Sequence, residues 1–280
     1  MPSLQRLGFI LALPAFIVYT ALLVGPLVVV LSQSLIPISS ESAGPWLSNY
    51  TPFLSPAYVG YFVDTFGLSL AACLVVMTIA YPLSYWLVNG TSSRLRGFVV
   101  IVIVLSIFVS GTVKVYGVAL ALGPTGLRNE LAALFGARQS ARAVTSLVVV
   151  IGLINFLLPV AVLGCIAPVQ RLPRSLSLAA QSLGASRVST HLKILLPILA
   201  RGLLQVFLLI YVAAVSAFII PWILGRGQIN FLSNLIYARF SEVADFAGGA
   251  ALSIILLIVA ATALLGLTLL GRRTEHGTAS

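Results

Sequence analysis

Two charged residues stand inside stretches that are otherwise apolar: Asp64 in the run Val59–Val88 and Lys114 in the run Gly97–Leu122. An ionised side chain in an apolar medium is costly, so it marks a solute path or finds an opposite charge. Two readings fit here. Asp64 and Lys114 pair with each other as a structural salt bridge, or one or both line a translocation path. Lys114 has the further option of reaching outward along its long stem. Little other chemistry is on offer. His191 and His276 are the only histidines, and both fall in polar segments; Cys73 and Cys165 lack the spacing of metal ligands and read as small packing residues. The two lysines, Lys114 and Lys193, sit outside any GxxxxGK[ST] phosphate loop. Catalytic residues, a metal, a cofactor and ATP binding by this chain are therefore not expected.

The elements that carry these residues are apolar. The chain has 280 residues, 60% of them hydrophobic, and a mean hydropathy of +1.11, against an apolar share of about 45–50% in soluble domains. Such a chain dissolves in a bilayer. Six stretches, Leu7–Leu31, Val59–Val88, Gly97–Leu122, Ala143–Ala167, Leu199–Leu224 and Phe246–Leu270, each exceed the roughly 20 residues with which a helix crosses the hydrocarbon core. They predict six transmembrane helices in an all-α integral membrane protein. One Arg precedes the first stretch, as in a signal peptide. Its apolar length passes the usual core of about 7–15 residues and no small-x-small cleavage site follows, so a retained helix is expected. No linker, low-complexity run or repeat divides the sequence, which reads as a single transmembrane domain over residues 1–280.

Orientation follows from Arg and Lys. With the N-terminus inside, the inner segments carry Arg6, Arg94, Arg96, Arg171, Arg174, Arg187, Lys193, Arg201, Arg272 and Arg273, whereas the outer ones carry only Arg128, Arg138, Arg142, Arg226 and Arg239. That bias places both termini in the cytoplasm. Glu41, Glu130, Glu242 and Asp245 then fall outside, and Glu275 inside. Anionic lipid headgroups and loop orientation account for the net charge of +10, so it implies no nucleic-acid partner.

One long polar stretch interrupts this pattern, "PRSLSLAAQSLGASRVSTHLKILLP" from Pro173 to Pro197, within an inner loop of about 169–198. Ser175 is a good helix N-cap. Leu176, Ala179, Ala180 and Leu183 recur at i, i+3, i+4 and i+7 and form one apolar stripe. Gly184 supplies the stop, and a second helix is predicted to start near Ser186 or Ser189 and run to Pro197. By periodicity alone this is either an amphipathic helix lying on the headgroups or a helix that docks on a partner.

The spacing of particular residues adds a resemblance. Ala179-Ala180, three residues, Gly184, nine residues, Ile194, one residue, then Leu196-Pro197 resembles the cytoplasmic EAA-x3-G-x9-I-x-LP loop of binding-protein-dependent ABC importer permeases. The family's Glu is replaced here by Leu178, which removes a Ser/Glu capping box and a charged contact. "YPLSYWL" (Tyr81 to Leu87), "GPTGLRNEL" (Gly123 to Leu131), "VSAFIIPWILG" (Val215 to Gly225) and "GGAALSIIL" (Gly248 to Leu256) are similar, in the same order, to stretches of the spermidine/putrescine branch.

This resemblance implies a six-helix permease of the bacterial plasma (inner) membrane with a cytoplasmic coupling helix between the fourth and fifth spans. It implies ATPase-coupling roles for Ser175, Leu176, Leu178, Ala179, Ala180, Leu183, Gly184, Ala185, Ile194 and Pro197. The implied partners are two copies of a cytoplasmic ABC ATPase, a second homologous permease and an extracytoplasmic solute-binding protein. The implied cargo is a small polar solute, with spermidine or putrescine first and opines or phosphonates as alternatives. An ion-coupled secondary transporter is the rival reading, although Asp64 is the one intramembrane carboxylate it can use and no repeat is visible. A membrane anchor that recruits a cytoplasmic protein through the central loop is a third.

Overall fold

A backbone in hydrocarbon must close its hydrogen bonds within its own segment or a closed barrel, and this chain takes the first route. The computed structural model describes residues 2–36, 48–122 and 141–276, and the regular structure among them is helical throughout. The helices are α1 (Pro2–Ser34), α2 (Pro56–Asn89), α3 (Ser93–Phe108), α4 (Gly111–Ala121), α5 (Ala141–Gln170), α6 (Arg174–Ser182), α7 (Arg187–Val215), α8 (Ile219–Leu224), α9 (Leu232–Ser241) and α10 (Phe246–His276). Five of them contain segments long and apolar enough to cross a membrane: Leu13–Ser34, Pro56–Asn89, Arg142–Gln170, Arg187–Val215 and Phe246–Leu269. The bent pair α3 and α4 supplies a sixth if it is counted as one span. Residue contacts gather the chain into two compact units, Met1–Val59 with Leu235–Val259 and Gly60–Asn234 with Ala260–Ser280.

In the first unit, α1 exposes apolar residues around its circumference, Phe16, Tyr19 and Leu22 among them, as suits a helix whose solvent is lipid. Its last turn is closed by side chains. Asn49 donates Nδ2 to the carbonyls of Ser34 and Ile36, both at 2.8 Å, and the Ser34 hydroxyl meets Tyr50 at 2.7 Å. These groups would otherwise be orphaned at a helix C-terminus. Asp245 caps α10 by accepting from the Gly248 N–H at 2.8 Å. Its other oxygen takes Arg239 Nη1 at 3.1 Å, while Arg239 Nη2 donates to the Tyr58 hydroxyl at 2.8 Å and the guanidinium lies over the Phe53 ring.

In the second unit α5 is the hub, packed by α2, α3, α4, α7 and α8. Small residues make that possible, because helices in lipid gain by close backbone approach rather than by hydrophobic burial. Ala72, Cys73 and Ala80 of α2 are fully buried, as are Ala161 and Cys165 of α5, and both thiols are free. The Ser84 hydroxyl crosses to the Val162 carbonyl at 2.9 Å. Against α7, Gly164 faces Val206 and Gly202 faces the Pro168 ring.

Two expectations about the spans are corrected. The third, Gly97–Leu122, is not one helix: Val109 and Ser110 are extended, and α3 and α4 meet at 96°. The fifth, Leu199–Leu224, is shifted, since α7 already begins at Arg187 and ends at Val215. Pro197 therefore does not end the second loop helix. The turn His191–Leu195 ahead of it is widened to the π form, so the hydrogen bond that a proline cannot donate is lost where the ladder is already irregular.

A Cβ on Gly202 would lie 2.7 Å from Pro168 Cβ, whereas one on Gly117 would meet nothing within 4 Å. Gly202→Val is expected to destabilise the detergent-solubilised protein by roughly 1–3 kcal/mol through overpacking, and Gly117→Ala to leave it unchanged or slightly more stable. Thermal unfolding of the two variants, compared side by side, checks both.

Candidate functional site

The loop helix α6 starts from its flanks. Pro173, extended at φ −65° and ψ 127°, is the N-cap and offers no side-chain bond. Ser175 thus lies in the first turn and is not the cap, a correction that follows from the helix starting two residues earlier than its hydroxyl suggested. The other end is as expected. Gly184 has φ +87°, its N–H reaches the Gln181 carbonyl at 3.0 Å, and the Ala185 N–H reaches the Ala180 carbonyl at 3.1 Å. Those two bonds make a Schellman motif, which needs a left-handed residue at this position.

The apolar stripe is only partly used inside the chain. Ala180 is buried and Leu176 half-buried, but Ala179 is exposed and Leu183 is 89% exposed. Leu178 lies on the same helix. Ser186 caps α7 by accepting from the Ser189 N–H at 3.2 Å, and beyond it Val188 and Leu192 are exposed. Ile194 is half-buried and Pro197 exposed. Leu183, Val188 and Leu192 therefore give the loop uncovered apolar surface, the kind that a partner covers.

A second feature, which sequence reasoning missed, is the irregular stretch after α7. The chain leaves helix at Ser216, forms the short α8, turns at Arg226 (φ 50°) and Gly227 (φ 71°), and re-enters helix at Leu232. Its backbone groups are met by side chains. Ser233 Oγ donates to the Ala217 carbonyl at 2.7 Å and Asn234 Nδ2 to the Phe218 carbonyl at 3.0 Å; Asn234 Oδ1 accepts from the Phe231 N–H at 3.1 Å. Thr65, fully buried in a widened π turn of α2 (Val63–Gly67), accepts from the Leu232 N–H at 2.9 Å, and Thr145 Oγ1 donates to Gln228 at 2.9 Å. Non-helical backbone at membrane depth is tolerated only where protein satisfies it in this way. The signal available in the sequence was the polar run "RGQIN" directly after the apolar "FIIPWILG".

Asp64 does not pair with Lys114. Arg142, at the start of α5, places Nη2 at 2.9 Å from each Asp64 carboxylate oxygen. The Asp64 side chain is 13% exposed and that of Arg142 55%. Lys114 lies on α4, beyond the 96° bend that breaks the run Gly97–Leu122. Among the described residues no carboxylate reaches it. Also among these residues, no group of three or more His, Cys, Asp or Glu is placed to hold a metal ion. A groove of about 400 Å³ between α5 and α7 is lined by apolar residues together with Arg171 and Gln205. The stretch Gly123 to Leu131 lies outside the described residues.

Fold and sequence together resemble one class, the all-α permease subunits of ABC importers, and within it the spermidine/putrescine branch. The chain is 28% identical over 215 residues to the spermidine/putrescine transport system permease protein PotB of Escherichia coli K12, covering 76% of this chain and 78% of that one. It is 25% identical over 228 residues to the inner membrane ABC transporter permease protein YdcU of the same organism, covering 77% and 72%. Its fold matches a chain in the crystal structure of a bacterial alginate ABC transporter in complex with an alginate pentasaccharide-bound periplasmic protein, with a TM-score of 0.75, 17% identity and coverage of 98% and 96%. No family model matches.

The ion pair yields a prediction with a sign. Removing Arg142 leaves a mostly buried carboxylate without its donor, so Arg142→Gln should destabilise by roughly 1–3 kcal/mol. Asp64→Asn should cost less, because it strands only a half-exposed cation. In a double-mutant cycle read by thermal stability, Asp64→Asn with Arg142→Gln should recover part of the loss, whereas Asp64→Asn with Lys114→Met should be additive.

Proposed function

We propose that this subunit acts as one permease domain that moves a small polar solute into the cytoplasm by alternating access, driven by two copies of a separate cytoplasmic ATPase docked on the α6 loop. The observation that carries this reading is the loop itself: a short helix closed by its own Schellman motif at Gly184, with Leu183, Val188 and Leu192 left exposed beside it. A lipid-lying helix would turn its whole apolar stripe to the bilayer, whereas here Ala180 packs inward and Leu183 outward. Ser175, Leu176, Leu178, Ala179, Ala185, Ile194 and Pro197 complete the docking segment. A second, similar permease and an extracytoplasmic binding protein complete the assembly, which sits in a bacterial inner membrane with both termini in the cytoplasm.

For the cargo, the likeness to PotB supports a polyamine such as spermidine or putrescine. A second reading is favoured by charge. The groove between α5 and α7 carries Arg171 and no carboxylate, and Asp64 is already neutralised by Arg142, which suits an anionic or neutral solute such as an opine or phosphonate. Competition of unlabelled spermidine, putrescine and anionic solutes against labelled spermidine uptake separates the two. Uptake is expected to stop when the ATPase is inactivated and to persist when ion gradients are collapsed; the reverse pattern would establish an ion-coupled carrier.

Gly184→Val tests the joint directly. A left-handed backbone costs a residue with a Cβ roughly 1–2 kcal/mol, and nothing else crowds that position, since a Cβ there meets no atom within 4 Å. Membrane abundance should be preserved while the amount of ATPase co-purifying with the permease falls, together with transport. Full ATPase retention and full transport in this variant would mean that the loop is not the docking joint.

A further inference from the structure

The foot of α7 is gripped by α2 through three side chains. His191 opens the widened turn of α7, and its Nδ1 lies 2.9 Å from the Tyr81 hydroxyl. Tyr85, one turn further along α2, meets the imidazole edge-on with 4.4 Å between ring centroids, and the Tyr81 ring stands at 6.0 Å from it. Thr190, just before this turn, and Leu195, its last residue, are each 1% exposed. The foot is therefore packed in place rather than lying free on the surface. Pro82 sits between the gripping tyrosines and removes one backbone hydrogen bond from α2 at that point. Both gripped helices also contain a π turn, Val63–Gly67 in α2 and His191–Leu195 in α7, a geometry that recurs in functional segments.

We propose that His191, Tyr81 and Tyr85 form the transmission contact that passes displacement of the α6 loop to α2, with His191 as the positioning residue. This rests on the permease reading above. The loop helix α6 packs on the first turn of α7, and α7 packs on α2 as well as on α5. An ATPase that moves α6 must move the foot of α7, and the foot carries α2 through the Tyr81–His191 hydrogen bond. The linkage works in both directions, since an energetic coupling between two sites is reciprocal. While α2 stays at rest it holds the loop back, and ATP hydrolysis is restrained. Without the contact, the loop moves alone and hydrolysis loses that restraint.

The test is ATP hydrolysis in saturating magnesium-ATP, with no solute added, by the permease–ATPase complex purified from membranes. The variants are Tyr81→Phe, which removes one oxygen and keeps the ring, His191→Leu, which cannot hydrogen-bond, and His191→Gln, whose amide still can. Tyr81→Phe and His191→Leu should retain the ATPase in full and hydrolyse about five-fold faster than the unmodified complex, the weight of one neutral hydrogen bond. His191→Gln should stay close to the unmodified rate. Unchanged hydrolysis at full ATPase retention in Tyr81→Phe and His191→Leu overturns the proposal and leaves the permease reading intact. Loss of Tyr81→Phe from the membrane overturns it too, because the contact would then hold the fold and not the coupling. Absence of any ATPase from the unmodified preparation sinks the permease reading itself.

Discussion

A peptide group in hydrocarbon with no partner is the one thing this structure cannot leave in place, and the stretch between α7 and α9 is where that constraint bites. Each unmet buried donor or acceptor costs about 1–3 kcal/mol, and the non-helical residues around α8 present several. Ser233, Asn234 and Thr65 meet them. Because those side chains come from α9 and α2, and Thr145 of α5 holds Gln228, the irregular stretch ties together elements distant in sequence. Gly152 then lets Ile220 and Leu224 of α8 come against α5, where any Cβ would collide with Leu224 and crowd Ile220.

The same logic explains why the loop helix differs in character from the spans. The spans are held by close approach of small residues along α2, α5 and α7, with a backbone satisfied inside each helix. The α6 helix is short, nearly free of neighbours on one side, and closes its own C-terminus through Gly184 and Ala185. It keeps its shape without being embedded in a core. That separation leaves Leu183, Val188 and Leu192 at the surface.

What the sequence made legible was whatever depends on local length and local conformation. Apolar length gave the number of spans, counting α3 and α4 together, and the need for a left-handed stop gave Gly184. The cap was misplaced by two positions, at Ser175, because a hydroxyl is only one way to start a helix, and Pro173 starts this one without a side-chain bond. The bend at Val109 and Ser110 was hidden because the apolar run continues through it. The partner of Asp64 was hidden for a different reason. Arg142 is 78 residues away and was counted among outer-loop charges, and only the packing of α2 on α5 brings the two together. The polar network around Asn234 was likewise invisible, since no periodicity marks a side chain that serves another segment's backbone.

The Asp64–Arg142 pair also has an electrical meaning. One elementary charge carried across a membrane exchanges about 2.3 kcal/mol with each 100 mV of potential. Two opposite charges held 2.9 Å apart exchange almost nothing when they move as one. A rearrangement of α2 and α5 that keeps this pair intact is therefore nearly silent to the membrane voltage. Lys114, which no carboxylate reaches among the described residues, carries no such cancellation, so a movement of α4 along the membrane normal exchanges energy with the voltage.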